Sequence, residues 1–166
     1  MHNIALMARF NAWANERLYD CVAGISDEAY REDRKAYFGS IHNTLNHLLV
    51  VDRLWTHRIE GTDHGIRGLD QILYDDFESL WAARREEDAD LVALAEGSSE
   101  AELQGMVDYR RITGEGTHTT RRDHILLTLY NHQTHHRGQI HAMLTQQGID
   151  PPPLDVIYLL EELDLS

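Results

Sequence analysis

One cysteine, three prolines and no long apolar run are the chain's clearest shortages, and each removes a class of protein. A lone cysteine, Cys21, excludes an internal disulfide, so the fold must rest on its own packed core. With no histidine or basic cluster beside it to lower its pKa, Cys21 is expected as a buried, inert thiol. No stretch approaches the roughly 20 apolar residues of a membrane span, and residues 1–10 lack the basic-then-apolar order of a secretion signal. Basic residues are scarce too: Lys and Arg number 15 against 28 Asp and Glu, a formal charge of −13, which repels duplex DNA and anionic membranes. The reading is a soluble, cytoplasmic protein with no nucleic-acid and no membrane partner. Familiar catalytic motifs are also missing: there is no Gly-rich phosphate loop, Gly-x-Ser-x-Gly elbow, Cys-x-x-Cys pair or His-Glu-x-x-His sequence.

What the chain does have is helical periodicity. Its 166 residues suit one domain, 1–166. Ile4, Met7, Phe10, Ala14, Leu18, Cys21 and Val22 predict a helix over 4–23 with one buried stripe. Ser40 is placed to cap a second helix over 41–59, with Leu45, Leu48, Val51 or Asp52, and Trp55 on its apolar side and Gly61 to end it. A glycine-containing linker leads to a third helix over 74–95, buried through Phe77, Leu80, Trp81, Leu91 and Leu94, while Arg84, Arg85, Glu86, Glu87 and Asp88 read as its solvated face. Residues 105–112 and 117–120 predict a two-stranded hairpin that must lean on the helices. Thr120 to Asp123 reads as a capping box opening a fourth helix over 121–147, with Gly148 after its end. Pro151, Pro152 and Pro153 forbid helix, and 155–163 predicts a short docked one. The expected architecture is all-α, a four-helix bundle with a short β-hairpin before the last long helix.

Histidine is abundant, with 11 residues, and His132 and His136 stand four apart inside the fourth helix, stacking both imidazoles on one face. So many histidines make one such pair common by chance, so the spacing needs support from elsewhere. His47, in the amphipathic second helix, supplies it: two antiparallel helices would close a three-histidine site, although a lone histidine on an apolar face is more often a hydrogen-bonded core residue. With His132 at the origin of a helical wheel, His136 falls at about 40°, His135 at about −60° and His141 at about 180°. His141 thus faces away, and His135 sits on the flank, where a hydrogen bond to a neighbouring helix is its plainer role. Asn43, one turn before His47, is placed to orient a ligand or a metal-bound water. Three neutral nitrogen ligands leave a coordination position open, for a water converted to hydroxide or for a thiolate, and the spacing does not choose between them. Ordinary imidazoles would release the metal as the pH falls through the range near 6.

Three blocks carry a family resemblance: Phe10-Asn11-Ala12-Trp13-Ala14-Asn15-Glu16-Arg17-Leu18, Asn46-His47-Leu48-Leu49-Val50-Val51-Asp52-Arg53-Leu54-Trp55, and His132-Gln133-Thr134-His135-His136-Arg137-Gly138-Gln139. In content and order they resemble the signatures of the DinB/YfiT-like family. The resemblance implies a four-helix bundle holding a divalent metal ion (nickel, zinc or iron) on His47, His132 and His136. It also implies a homodimer and a small-molecule substrate, with a low-molecular-weight thiol as co-substrate in the members that act as S-transferases or isomerases. Activity is less constrained than fold. The expected function is metal-dependent activation of a thiol or water toward a small electrophile, the alternative being a non-catalytic metal-binding stress-response bundle. A third possibility is a metal-free bundle whose histidines belong to the core. Arg137 and Gln139 match the signature, and anchoring the helix is as good a role for them as touching substrate.

Overall fold

The computed structural model describes residues 3–112 and 114–165; Met1, His2, Thr113 and Ser166, which belong to the expected 1–166 domain, lie outside the described residues. The elements are α1 (Asn3–Ala23), α2 (Asp27–Arg31), α3 (Ile41–Glu60), α4 (Phe77–Gly97), α5 (Glu100–Leu103), β1 (Met106–Arg110), β2 (Thr117–Arg121), α6 (Arg122–Gln146) and α7 (Val156–Glu162). The helical bundle and its hairpin are as the periodicity predicts, and their ends follow local chemistry. Ser40 Oγ accepts from the Asn43 N–H at 3.1 Å. Gly61, at φ 70°, closes α3 in the left-handed region that a Cβ disfavours. Replacing Ser40 by Ala is expected to cost about 1 kcal/mol and to lower Tm by roughly 2–4 °C, read by thermal denaturation. An unchanged Tm would mean that solvent already satisfies the freed N–H.

The structure departs from expectation at the start of α4, at the cap of α6 and in two short extra helices. α4 starts at Phe77 because the Asn46 side chain holds both backbone groups of Tyr74, accepting from its N–H at 3.0 Å and donating to its carbonyl at 3.0 Å. The chain therefore stays non-helical until Asp76 caps the helix. The capping box expected at Thr120 does not form: Thr120 pairs with Val107 in the hairpin, and Arg121 stands at the N-cap of α6 without a side-chain cap bond. Asp123 instead accepts from the Arg121 guanidinium at 3.1 Å. Two short helices went unpredicted although Ser26 caps α2 and Ser99 with Glu102 forms a true capping box on α5.

Core membership sets the helix directions. Leu18, Leu45, Leu49, Leu80 and Ile140 share one apolar cluster, and Ala8, Ile59, Leu91, Ala95 and Leu126 share another. The C-terminal halves of α1 and α6 therefore lie with the N-terminal halves of α3 and α4, so α3 and α4 run parallel to each other and antiparallel to α1 and α6. α1 packs on α4 and α6, and so does α3, which leaves α1 diagonal to α3. Because α3 and α4 begin at the same end, residues 61–76 must return along the bundle, and Ile66 of this crossover packs on Val50 and Leu54. The hairpin leans on α3 through Tyr109, whose ring meets Trp55 edge-on at 4.8 Å. α7 docks through Leu159 beside Phe10 and Ala14. No described helix is long and apolar enough to cross a membrane.

Between the two apolar clusters lies a polar layer, and here the expected solvated face of α4 is corrected in part: Arg85 and Glu86 are exposed as expected. Arg84, Glu87 and Asp88 are buried, Arg84 with 1 % exposure. Arg84 Nη1 donates to Asp52 Oδ2 at 2.6 Å, and its Nη2 lies 3.0 Å from Asp88 Oδ1. Gln133 Nε2 also donates to Asp52 Oδ2, while Asn11 and Asn15 donate to Asp88 at 3.1 and 3.0 Å. Arg137 donates to the Asn11 and Asn15 side-chain carbonyls. Glu87 accepts from Thr56 at 2.8 Å and pairs with Arg53. Arg53, Arg84 and Arg137 balance Asp52, Glu87 and Asp88, so the layer carries no net formal charge, which is how buried ions are tolerated. Arg137 is thus an anchor between α6 and α1.

Candidate metal centre

The polar layer sets the rotation of α6. Gln133 and Arg137 follow His132 and His136 by one residue each, about 100° around the helix. Once the first pair is bonded to Asp52 and to Asn11 and Asn15, the second pair is turned toward α3. His47 comes to meet it from the antiparallel α3. The ligand nitrogens of His47, His132 and His136 all lie within 4.8 Å of one another, the one cluster of potential metal ligands among the described residues. His47 Nε2 and His132 Nε2 are 3.0 Å apart. Two nitrogens bound tetrahedrally at about 2.0–2.1 Å would be separated by roughly 3.3 Å, so the donor set suits a first-row divalent ion.

Neighbours choose the tautomers. His47 Nδ1 donates to the Leu69 carbonyl at 2.7 Å, and His136 Nδ1 to Gln139 Oε1 at 2.7 Å. Each bond places the ring proton on Nδ1 and leaves the Nε2 lone pair for a metal, the usual way an orienting partner prepares a ligand. His132 Nδ1 is buried without a partner. Asn46, one residue before His47, also accepts from the Leu73 N–H at 2.8 Å and so ties the crossover to α3 four residues beyond Leu69. Phe38 stacks on the His47 ring with centroids 3.9 Å apart and meets His136 edge-on. Asn43 touches neither histidine: it donates to the Phe38 carbonyl at 2.9 Å and so acts on the site only through that ring. His135 is exposed and bonded to Gln139 on its own helix, which replaces the neighbouring-helix contact expected for it. His141 lies away from the cluster, in a groove with Thr134 and Pro151.

Burial, the largest influence, pushes the His47 imidazole down to about 4 and that of His132 to about 3, while His136 is also lowered. All three are neutral at pH 7, as ligation requires, and proton competition for a metal moves below the range near 6 that ordinary imidazoles imply. The same shifts bear on stability. In the unfolded chain these rings titrate near 6.5, so between about 6.5 and 4 the unfolded state binds more protons. Their contribution is complete above about pH 6.5 and is lost as the pH falls toward 4. In metal-free protein, Tm is expected to drop between pH 6.5 and 4.5 more steeply than in His132→Asn, measured by differential scanning calorimetry. Equal slopes would remove the histidines as the cause.

A cavity of about 340 Å³ opens beside the cluster, lined by His47 and His132 together with Val51, Leu54, Trp55, Arg58, Leu69 and the hairpin residues Tyr109, Arg111 and Ile112. Among the described residues, no cysteine, serine or carboxylate lines it. Cys21 is half-buried against the apolar cluster near the C-terminal end of α1 and is not part of the cavity lining, and burial pushes its thiol up, so it supplies no nucleophile here.

The sequence pattern of the DinB family matches residues 1–163. The chain is 28 % identical to the protein DinB of Bacillus subtilis (strain 168) over 153 residues, 88 % of this chain and 87 % of that one. Its fold is similar to the crystal structure of a DinB-like protein from Bacillus cereus ATCC 10987, with a TM-score of 0.64, 19 % identity, and 85 % and 90 % of the two chains covered.

Proposed function

This chain belongs to the DinB family, and from that premise we propose that it is a metal-dependent enzyme whose 1–166 chain is one domain, with His47, His132 and His136 as ligands of a nickel, zinc or iron ion. The observation that carries the reading is the three converging imidazoles, two of them with Nε2 freed by Nδ1 hydrogen bonds, with His47 and His132 at the wall of a cavity of ligand size. A bound divalent ion would supply Lewis acidity there, lowering the pKa of a water or of a low-molecular-weight thiol for attack on a small electrophile. The protein's part is to hold the ligands neutral and oriented, and to present an apolar wall that excludes bulk water. A borrowed thiol fits a cavity whose described lining holds no cysteine or serine. The acidic charge favours no nucleic-acid partner, and a cytoplasmic setting suits an enzyme that depends on a reduced thiol. A homodimer is part of the reading; it would cover exposed apolar side chains such as Leu127 or Ile157.

The test is turnover of a halonitroaromatic electrophile with cysteine-type thiols, and of ester and amide substrates without them, by metal-loaded wild type and by His136→Ala. Turnover that needs the metal and falls at least about 100-fold in the variant is expected, since loss of an orienting partner alone costs about 10–100-fold. Equal rates in the two proteins across the whole panel would reject the enzyme reading.

A further inference from the structure

Arg58 and Arg111 face the same cavity as His47 and His132, and neither has a carboxylate partner among the described residues. That is unexpected in a chain with 28 acidic residues against 15 basic ones. Arg58 is also held ready. Its guanidinium carbon lies 4.6 Å from the Trp55 ring centroid and 5.0 Å from that of Tyr109, and Nη2 donates to the Arg110 carbonyl. That bond occupies one of five N–H donors and leaves the others without a protein acceptor among the described residues. Burial lowers the Arg58 pKa, yet at pH 7 the group remains a cation, partly desolvated against two aromatic faces. Arg111 is exposed, on the segment that leaves β1. The cavity thus has a nitrogen-ligand end, an apolar middle and a cationic end.

We infer that this cavity selects an organic carboxylate, a small apolar or aromatic body bearing one acid group that Arg58 and Arg111 receive while its other end lies toward the histidine cluster. The assignment rests on the enzyme reading above and names the substrate class for it. Size agrees: a dry cavity of about 150 Å³ accommodates benzene, and this one, at about 340 Å³, has room for a ring and a short acidic arm. Guanidinium recognises carboxylate through paired N–H donors, and such a charge-assisted contact is strong where water is partly excluded.

Phenylacetate, its neutral isostere phenylacetamide, and acetate are to be titrated calorimetrically into metal-depleted and metal-loaded wild type, Arg58→Gln and Arg111→Gln. Phenylacetate is expected to bind metal-depleted wild type at least about 10-fold tighter than phenylacetamide, and each substitution to weaken it about 10-fold while leaving the amide unchanged. Acetate, without the apolar body, should bind far more weakly than phenylacetate. Equal binding of acid and amide, absence of binding by both, or acid binding indifferent to both substitutions would overturn the inference. If Arg58→Gln fails to fold by circular dichroism, Arg111→Gln, at an exposed side chain, decides alone. Metal content of the same samples is read separately, so a chain that holds no ion defeats the enzyme reading without altering the comparison of acid with amide.

Discussion

Tag-free protein reconstituted with a divalent metal is expected to carry one ion per chain by mass spectrometry, and His132→Ala to carry none. The expectation follows from the geometry of the donors. His47 and His132 bring their Nε2 atoms to 3.0 Å, and His136 completes the set within 4.8 Å. Removing one of three imidazoles leaves a two-nitrogen site that water must complete, and the loss should exceed the roughly 10–100-fold that follows from removing an orienting partner. Gln139→Ala supplies that lesser case, because it keeps all three imidazoles and strips the acceptor on His136 Nδ1, together with a contact to the exposed His135. The ordering wild type, then Gln139→Ala, then His47→Ala and His132→Ala together at the bottom is the signature of a shared site between α3 and α6. Metal content indifferent to both histidine substitutions would instead make these rings ordinary members of the core. The ion should also raise Tm, since it binds the folded chain alone.

The second large effect concerns the buried polar layer. Arg84→Met removes the cation that faces both Asp52 and Asp88 and leaves two carboxylates in the core with amide partners only. Breaking a buried pair from one side costs about 3–5 kcal/mol, which for a chain of this size lowers Tm by roughly 10 °C or more. Burial already drives the Asp52 carboxyl up to about 7 in the presence of Arg84. The double variant Arg84→Met with Asp52→Leu should recover part of the loss, because it takes out a charge pair and its desolvation together. Chemical denaturation of the two single variants and the double one measures the coupling. A cost below about 1 kcal/mol for Arg84→Met would show that water reaches the layer and screens it.

The long helices were legible because their apolar residues recur at 3.6-residue spacing, and Ser40 and Gly61 mark the ends of α3 by capping chemistry alone. The convergence of His47, His132 and His136 was legible too, through the i,i+4 pair and its counterpart on a second amphipathic helix. What escaped was the meaning of the charges on α4. Arg84, Glu87 and Asp88 occupy the buried stripe between Leu80 and Leu91, so the periodicity places them inside, whereas their chemistry suggested solvent. Only the partners resolve the conflict, and those partners sit on three other helices, far away in sequence. Asn11 and Asn15 gave the matching clue, two amides on the apolar stripe of α1. Phe38 and the Leu69 carbonyl had no sequence signal, since a ring in a loop and a backbone oxygen meet His47 only once the chain has folded back on α3.

The electroneutral layer also bears on how the bundle comes together. Its cations and anions are contributed by α3, α4 and α6, and its bridging amides by α1 and α6. A partly assembled bundle that lacks any one of these helices keeps desolvated charge without a full set of partners, and a helix displaced by one turn of about 5.4 Å would set charges against leucines. Incomplete and out-of-register assemblies are both penalised, whereas a uniformly apolar middle would tolerate either. Folding is thereby made cooperative across all four long helices, and the register that brings α3 and α6 together at the histidines is selected at the same moment.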